Sequence, residues 1–168
     1  MNVRQLTPAD APIYREFRLR GLREHPDAFT SSFEEEAARS LEVTEQRLAA
    51  GGDTCILGAF EGDALAGAVG LTRETRRKAA HRGTVVAMYV QPEFARRGVG
   101  RTLVDAIIAH ARTFGLEQLV LTVTATNVHA RRLYASAGFA SFGVEPRAIN
   151  VDGVYYDKEH MTLRLGDD

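Results

Sequence analysis

Arginine and glycine residues are concentrated in one short segment, Arg96–Thr102, which directly precedes a helical pattern. The first turn of a helix leaves backbone N–H groups unpaired and carries partial positive charge, so anions bind there. Glycines allow a ligand to approach the main chain, and arginines supply full positive charges. The segment predicts a site for a pyrophosphate or similar polyanion, formed by Arg96, Arg97, Gly98, Val99, Gly100, Arg101 and Thr102.

Two common phosphate motifs do not fit this segment. A P-loop requires a Gly five positions before a Gly-Lys pair, but Ala95 and Arg101 occupy the corresponding positions around Gly100. A dinucleotide-binding fingerprint requires a third Gly where Leu103 stands. The sequence therefore disfavours nucleotide hydrolysis. Glycines that only shape a tight turn, beside solvated arginines, are the alternative interpretation.

A second group of polar residues follows further along the chain. Asn127, Ala130 and Tyr134 are spaced by three and four residues, which places them on one face of a predicted helix. The Asn127 amide and the Tyr134 hydroxyl could therefore contact one ligand. Ordinary packing of a tyrosine at the edge of the core is the alternative.

The elements that position these residues follow from the apolar periodicity. Predicted helices cover residues 7–23, 34–50, 99–114 and 127–137. Predicted strands cover residues 54–60, 65–71, 84–90, 119–124 and 139–144, with a hairpin around 152–153 before a last strand. The strand Thr84–Val90 is continuously apolar, which favours a central strand buried on both faces. This order predicts one domain over residues 1–168, an α/β (α+β) fold with helices on both faces of a mixed sheet.

Composition and charge exclude several classes of protein. With 21 basic and 22 acidic residues the net charge is −1, so no overall field attracts nucleic acid or an anionic membrane. No apolar run reaches the roughly 18 residues of a membrane span, and Met1–Leu6 lacks the apolar core of a signal peptide, which predicts a cytoplasmic protein. The single Cys55 lies in an apolar run and is interpreted as a buried structural thiol. No metal site is predicted.

The phosphate segment also resembles a known cofactor motif. An apolar strand ending in Val90-Gln91-Pro92, followed by Ala95-Arg96-Arg97-Gly98-Val99-Gly100, resembles that of the GNAT family of acyl-CoA-dependent N-acetyltransferases. The family pattern has Gln or Arg where Ala95 stands, which would weaken one cofactor contact. The resemblance covers the order of elements over the whole chain, and individual residues from about Thr84 to Phe139.

A second family motif lies downstream in the expected order. It consists of an Asn, an Ala, a Leu-Tyr pair and a Gly-Phe pair, here Asn127, Ala130, Leu133-Tyr134 and Gly138-Phe139. The two motifs together imply a mixed, mostly antiparallel sheet of six or seven strands flanked by about four helices. They also imply acetyl-CoA as the cofactor and an acetyltransferase activity.

The resemblance assigns roles to individual residues. The main chain of Met88, Tyr89 and Val90 would pair with the pantetheine arm of acetyl-CoA, while Asn127 and Ala130 would contact the cofactor as well. Tyr134 would protonate the departing CoA thiolate after direct attack by a primary amine of a small molecule or a peptide. The acceptor pocket would lie between the loop after the first helix and the last hairpin, and its predicted residues are Phe29, Ser32, Phe33, Glu34 and Tyr155. Simple core closure is the alternative for these aromatic residues.

A general base for the acceptor amine is not evident. The central strands Thr84–Val90 and Leu119–Thr124 contain no carboxylate, so deprotonation through water is expected. Candidates elsewhere are Glu34, Glu35, Glu36, His25, His81, Asp157 and His160. The missing carboxylate keeps open a second function, a catalytically silent CoA- or acyl-CoA-binding sensor or partner subunit. Exposed edges of the sheet could also pair in a homodimer.

Overall fold

A seven-stranded sheet forms the centre of the computed structural model, which describes residues 1–166. The strands are β1 (Asn2–Gln5), β2 (Thr54–Glu61), β3 (Ala64–Arg73), β4 (Arg82–Val90), β5 (Gln118–Thr124), β6 (Ala140–Val151) and β7 (Val154–Arg164). Their order in the sheet is β1-β2-β3-β4-β5-β7-β6, and every neighbouring pair is antiparallel except β4 and β5. The predicted mixed, mostly antiparallel sheet is confirmed, with β4 at its centre.

Within residues 1–166, five α-helices accompany the sheet, one more than expected. They are α1 (Ala11–Glu24), α2 (Phe33–Ala37), α3 (Leu41–Leu48), α4 (Val99–Thr113) and α5 (Val128–Ser136). The extra helix arises because the stretch 34–50, predicted as one helix, is two. Ser32 begins α2, where its side chain and that of Glu35 each accept the other residue's backbone N–H, and Ser40 begins α3. None of the helices among residues 1–166 is long and apolar enough to cross a membrane.

The helices cover both faces of the sheet. On one face, α4 buries Val99, Leu103, Ile107 and Ala111, the residues whose spacing predicted an amphipathic helix. On the other face, the apolar side of α1 and α3 packs on β2 and β3. Each large aliphatic side chain removed from water in this way stabilises the fold by about 1.5 to 3 kcal/mol. The two cores hold β4 between them.

The strands β4 and β5 separate in the middle of the sheet. They pair at only three positions, Arg82 with Gln118, Gly83 with Leu119 and Thr84 with Val120. A bulge then bends β4 away, because two of its residues, Ala87 and Met88, lie opposite Val69 alone. Ala87 adopts a left-handed conformation, with φ of 54°, at this bulge. Within residues 1–166 the edge of β4 beyond Thr84 has no β5 partner, and a gap opens between the strands.

The gap corrects one prediction about β4. Its continuous apolar run was expected to be buried on both faces, but within that run only Val85 and Tyr89 are buried. Met88 and Val90 are half-buried, because they face the opening where β5 would otherwise lie. The apolar run of β4 therefore contributes residues both to the core and to a cleft.

Candidate active site

The gap between β4 and β5 opens into a cleft of about 450 Å³, here called the central cleft. One side is formed by β4 from Val85 to Val90, and the other by β5 from Thr122 to Thr124 and by α5. Gly100 and Ala95 close the end nearest to α4. The bulged edge strand, the start of α4 and the face of α5 therefore meet in one cavity.

The start of α4 has the geometry expected of an anion site. Gly98 precedes the helix with φ of 79°, a left-handed conformation that favours glycine, and a Cβ there would meet no atom within 4 Å. Thr102 donates its N–H to the Gly98 carbonyl at 3.0 Å, so the N–H groups of Val99, Gly100 and Arg101 have no helical partner. At Gly100, a Cβ would lie 3.1 Å from Leu133 Cδ2. The two glycines thus have different roles: one provides the backbone conformation and the other the close packing.

The three arginines of this segment differ in their pairing. Arg97 binds the Glu61 carboxylate at 3.1 Å, and Arg101 binds the Asp105 carboxylate at 2.9 Å. Arg96 forms no salt bridge with any of residues 1–166. All three side chains are exposed. Arg96 therefore carries the uncompensated charge beside the turn.

Three predicted cofactor residues of β4 line the central cleft. Met88 and Val90 lie beside Gly100, where a Cβ would be 3.6 Å from Met88 Cε. Tyr89 turns its ring towards α1, where it packs 5.0 Å from the Phe17 ring, and its hydroxyl donates to Glu24 at 3.0 Å. Tyr89 can thus offer a ligand its main chain but not its hydroxyl.

The three predicted residues of α5 also line the central cleft. Asn127 caps the helix, with its side-chain oxygen accepting the Ala130 N–H at 3.1 Å, so its amide N–H groups are left for a ligand. Tyr134 is 6% exposed and packs edge-on against Phe139 with ring centroids 5.9 Å apart. Burial raises the pKa of Tyr134 to about 12. The phenol is therefore protonated at neutral pH and can act as a proton donor.

A second cavity of about 380 Å³, the rear cleft, lies against α1 and α3. It shares Val85, Val86, Ala87 and Thr122 with the central cleft, so the two cavities meet at the gap between the strands. The charged side chains that line it are Arg18, Glu36, Arg47 and Lys158. Two cavities thus reach the same gap in the sheet.

The predicted acceptor residues gather mainly in a third cavity of about 440 Å³, the hairpin cleft. Phe29, Ser32, Phe33 and Glu34 line it together with Ile149–Asp152 at the turn between β6 and β7. Tyr155 lies elsewhere on β7, 49% exposed, with the Arg147 guanidinium 3.8 Å from its ring centroid. Phe29 lines all three cavities. The loop and hairpin are brought together as expected, but the rear cleft has the wider contact with the gap.

Most candidates for the general base are already engaged. Glu35 accepts the Ser32 N–H in the cap of α2, Asp157 accepts the Arg147 N–H at 2.9 Å, and His160 lies 3.0 Å from Glu145. Glu36 lies between Arg39 and Arg47 at the rear cleft, and Glu34 lies in the hairpin cleft. His81 lies beside β4, where its carbonyl accepts the Glu117 N–H. Of these candidates, His25 is the one that lines the central cleft.

Sequence reasoning missed the cationic lining of the rear cleft. Arg18 lies on the buried stripe of α1 that includes Tyr14, Phe17 and Gly21, and a charged residue in such a stripe is a usable signal. Lys158, on β7, is 5% exposed and has no comparable signal, because the neighbouring Glu159 is buried as well. Its Nζ donates to Thr124 Oγ1 at 3.0 Å, and burial lowers the pKa of Lys158. Residues 1–166 contain no cluster of three His, Cys, Asp or Glu side chains arranged to hold a metal ion.

A family model confirms the resemblance carried by the two motifs. The model of the Acetyltransferase (GNAT) family matches residues 19–139, most of the chain. This chain belongs to the GNAT family. The matched range contains β4, the turn at the start of α4 and all of α5.

The GNAT relatives include proteins with a much longer chain. The mycothiol acetyltransferase of Propionibacterium freudenreichii subsp. shermanii is 42% identical over 59 residues, which is 35% of this chain and 19% of that protein. The matched segment thus spans about a fifth of the length of that curated relative.

Solved structures share the whole GNAT fold. The acetyltransferase of the GNAT family from Streptococcus pneumoniae superposes with a TM-score of 0.88 at 26% identity, covering 97% of this chain and 98% of that one. A putative acetyltransferase from Salmonella typhimurium, solved with its cofactor acetyl-CoA, superposes with a TM-score of 0.82 at 22% identity over 100% and 95% of the two chains. The likeness extends over the sheet and all the helices.

Proposed function

We propose that residues 1–168 form one N-acetyltransferase domain that transfers the acetyl group of acetyl-CoA to a primary amine of a small molecule or a peptide. The observation that carries this proposal is the meeting of three features in the central cleft: the unpaired edge of β4, the N-terminal turn of α4 and the buried phenol of Tyr134. These features suit acetyl-CoA. The turn can hold its pyrophosphate, the open edge of β4 can pair with the amides of its pantetheine arm, and Tyr134 can donate a proton to its sulfur.

The cofactor would bind mainly to the main chain. The N–H groups of Val99, Gly100 and Arg101 would hold the pyrophosphate, and Arg96 would contact its outer oxygens. The amides of the pantetheine arm would pair with Met88–Val90 as an added strand would. Asn127 would contribute its amide N–H groups from the opposite side of the cleft.

The proposed reaction is a direct attack. The nitrogen lone pair of the amine forms a C–N bond with the acetyl carbon, while the C–S bond breaks and its electron pair stays on the CoA sulfur. Tyr134 donates its hydroxyl proton to that sulfur. The amine loses one proton to water, and the Tyr134 phenolate takes one proton from water, which restores the phenol. An N–H of the β4 edge would stabilise the oxyanion that forms on the acetyl oxygen.

The amine must be neutral before it attacks. β4 and β5 carry no carboxylate among the residues that line the central cleft, so the proton would leave through water rather than to a strand carboxylate. His25 lines the same cleft and can accept it. This route requires only solvent access, which the open gap provides.

The test combines calorimetric titration of acetyl-CoA with release of free thiol in the presence of a panel of primary amines. A matched pair of variants isolates the site. Gly100→Val places a branched side chain against Leu133 in the central cleft and should abolish detectable binding, whereas Gly143→Val lies where a Cβ meets no atom within 4 Å and should bind normally. Failure of the unmodified chain to bind acetyl-CoA would overturn the proposal.

The same titration distinguishes the alternative function. A chain that binds acetyl-CoA but releases no thiol with any amine would be the silent sensor or partner subunit. The presence of Tyr134 and His25 in the central cleft favours the enzyme, because a binding module needs neither a proton donor nor an acceptor there.

A further inference from the structure

Arg18 is a half-buried cation whose guanidinium lacks a hydrogen-bond acceptor among the described residues. It forms no salt bridge or side-chain hydrogen bond with residues 1–166, and its Nε and Nη1 atoms are fully buried with no acceptor. Its guanidinium carbon lies 4.7 Å from the ring centroid of Phe29. Burial lowers the pKa of Arg18, because the loss of hydration outweighs the attraction of the Glu36 carboxylate.

The two charged side chains that are most buried, Lys158 and Glu159, each have a polar partner. The Glu159 carboxylate forms a salt bridge with Arg131, and the Lys158 ammonium donates to the Thr124 hydroxyl at 3.0 Å. A buried guanidinium without an acceptor is costly, so its retention points to a ligand that supplies the acceptor. Arg18 lines the rear cleft, which is where such a ligand would lie.

The whole rear cleft has an excess of positive charge. Arg18, Arg47 and Lys158 line it, against the single carboxylate of Glu36. That carboxylate is already shared, since it lies 3.5 Å from Arg47 and 3.7 Å from Arg39. The buried hydroxyl of Tyr14 also has no hydrogen-bond partner among the described residues. Hydrogen-bond donors and positive charge thus dominate the cavity.

We propose that the rear cleft binds the acceptor, and that this acceptor carries a carboxylate or similar oxyanion beside its primary amine, with Arg18 holding the anion. The proposal rests on the proposed acetyl transfer and names its substrate class. Anchored at Arg18, the amine reaches towards the gap, where the rear cleft meets the central cleft at Val85–Ala87 and Thr122. A cavity of about 380 Å³ is at the small end of small-molecule sites, which suits an amino acid.

The same charges determine the protonation state of the bound amine. Lys158 lies at the junction of the clefts, because its Nζ contacts Thr124 of the central cleft while its side chain lines the rear cleft. A cation there disfavours an ammonium and favours the neutral nucleophile, whereas the Asp27 carboxylate, which also lines the central cleft, acts in the opposite direction. The anion of the acceptor compensates the excess positive charge, so polyamines are the acceptors that this cleft disfavours most.

The test uses sets of three acceptors with the same side chain: an L-amino acid, its primary amide and its decarboxylated amine. The common L-amino acids supply the sets, and kcat/KM is measured by thiol release with saturating acetyl-CoA. The amide has the less basic amine and hence more neutral nucleophile, so a preference for the acid cannot come from amine basicity. For the best acceptor, the acid should exceed the amide at least about tenfold, as expected for hydrogen bonds to a charged group.

Variants of α1 assign the preference to Arg18. Arg18→Gln should raise KM for the acid about tenfold or more, leave KM for the amide within about twofold and leave acetyl-CoA affinity unchanged. Arg18→Lys should restore part of the preference, because it keeps the charge but loses the planar pair of donors. Arg15→Gln is the matched control on the same helix, since Arg15 donates to the Ala37 carbonyl and does not line the rear cleft.

Two results overturn this substrate class while leaving the transferase standing. One is equal or better use of the amides or the decarboxylated amines, and the other is a loss in Arg18→Gln that is the same for acid and amide. A chain that binds acetyl-CoA but neither acetylates nor binds any carboxylate-bearing amine also overturns it. Failure to bind acetyl-CoA overturns the proposed function itself, and this proposal with it.

Discussion

The turn at the start of α4 and the rear cleft are both positively charged, but they are built in opposite ways. The turn is a single local segment whose donors are main-chain N–H groups and whose arginines are exposed. The rear cleft is assembled from the helices α1, α2 and α3 and from five strands of the sheet, and its charges are side chains, with Arg18 half-buried and Lys158 buried. The turn can be recognised in the sequence because its residues form one short motif. The rear cleft cannot be recognised in this way, because its residues are far apart in the sequence.

This contrast also concerns how each site is maintained. Main-chain donors at a helix terminus are present in any helix that begins there, so ligand binding at the turn carries little cost to the fold. An unpartnered guanidinium inside the rear cleft destabilises the ligand-free protein. Substitutions at the turn should therefore change mainly the affinity for the cofactor. Substitutions in the rear cleft should change the free energy of unfolding.

The largest effect is expected at Tyr134, which lines the central cleft. Tyr134→Phe removes the proposed donor to the thiolate, and kcat should fall about tenfold to a hundredfold, at or below the usual range for a positioned acid because a thiolate leaves readily. The dissociation constant of acetyl-CoA should be unchanged, because the ring and its packing against Phe139 remain. Steady-state kinetics and calorimetry measure the two quantities. Unchanged kcat would remove Tyr134 from the reaction.

A stability gain is expected at the rear cleft. Arg18→Met replaces the unpartnered guanidinium by an apolar side chain of similar length, and the free energy of unfolding should rise by about 1 to 2 kcal/mol. The corresponding rise in Tm is roughly 2 to 8 °C. Thermal unfolding monitored by circular dichroism measures it, with Arg15→Met as the control that should not gain. A loss of stability in Arg18→Met would mean that the guanidinium is satisfied in the folded chain.

Smaller effects should distinguish the arginines of the turn. Arg96→Gln should weaken acetyl-CoA binding about threefold to tenfold, since this side chain has no competing anion among residues 1–166 and is exposed to salt screening. Arg97→Gln and Arg101→Gln should have less effect, because Glu61 and Asp105 already compensate these charges. Titrations at low and high salt measure the differences, and equal losses at all three positions would contradict the pairing.

The pH dependence should show no contribution from Tyr134 in the ordinary range. Burial raises its pKa to about 12 from the usual 10.0, so the phenol stays protonated until pH approaches 12. Plots of log kcat/KM should therefore rise with deprotonation of the amine and show no descending limb between pH 7 and 10. A descending limb with an apparent pKa near 10 that disappears in Tyr134→Phe would show an ordinary, solvated phenol.

The elements that the sequence predicts well are those with strong local signals. Leu103 and Ile107 repeat at the helical period, and Gly98 and Gly138 lie at helix ends with positive φ, so α4 and α5 follow from the sequence. The single long helix predicted over 34–50 was wrong, because the capping signals at Ser32 and Ser40 each begin a separate short helix. Helical propensity alone does not show where one helix ends and the next begins when two N-caps lie close together.

The parts that were missed depend on contacts between distant residues. The gap beyond Thr84 cannot be predicted from an apolar strand, because the bulge at Ala87 depends on how β4 pairs with β3. The rear cleft needs Arg18 and Lys158, which are far apart in sequence, to face one cavity. Tyr155 likewise lies outside the hairpin cleft, on β7, where the Arg147 guanidinium from β6 covers its ring.

Because the pairing between β4 and β5 is short, the stability of this fold should depend on the concentration of its ligand. Three residue pairs are all that join these two strands, so the most central position of the sheet is also one of its least bonded. A molecule that pairs with the open edge of β4 would add to the free energy of unfolding in proportion to the logarithm of its concentration. The lifetime of the chain against proteolysis would then rise and fall with the cofactor pool. A designed variant in which β4 and β5 pair over a longer stretch would be more stable, but it would have no cleft for the cofactor.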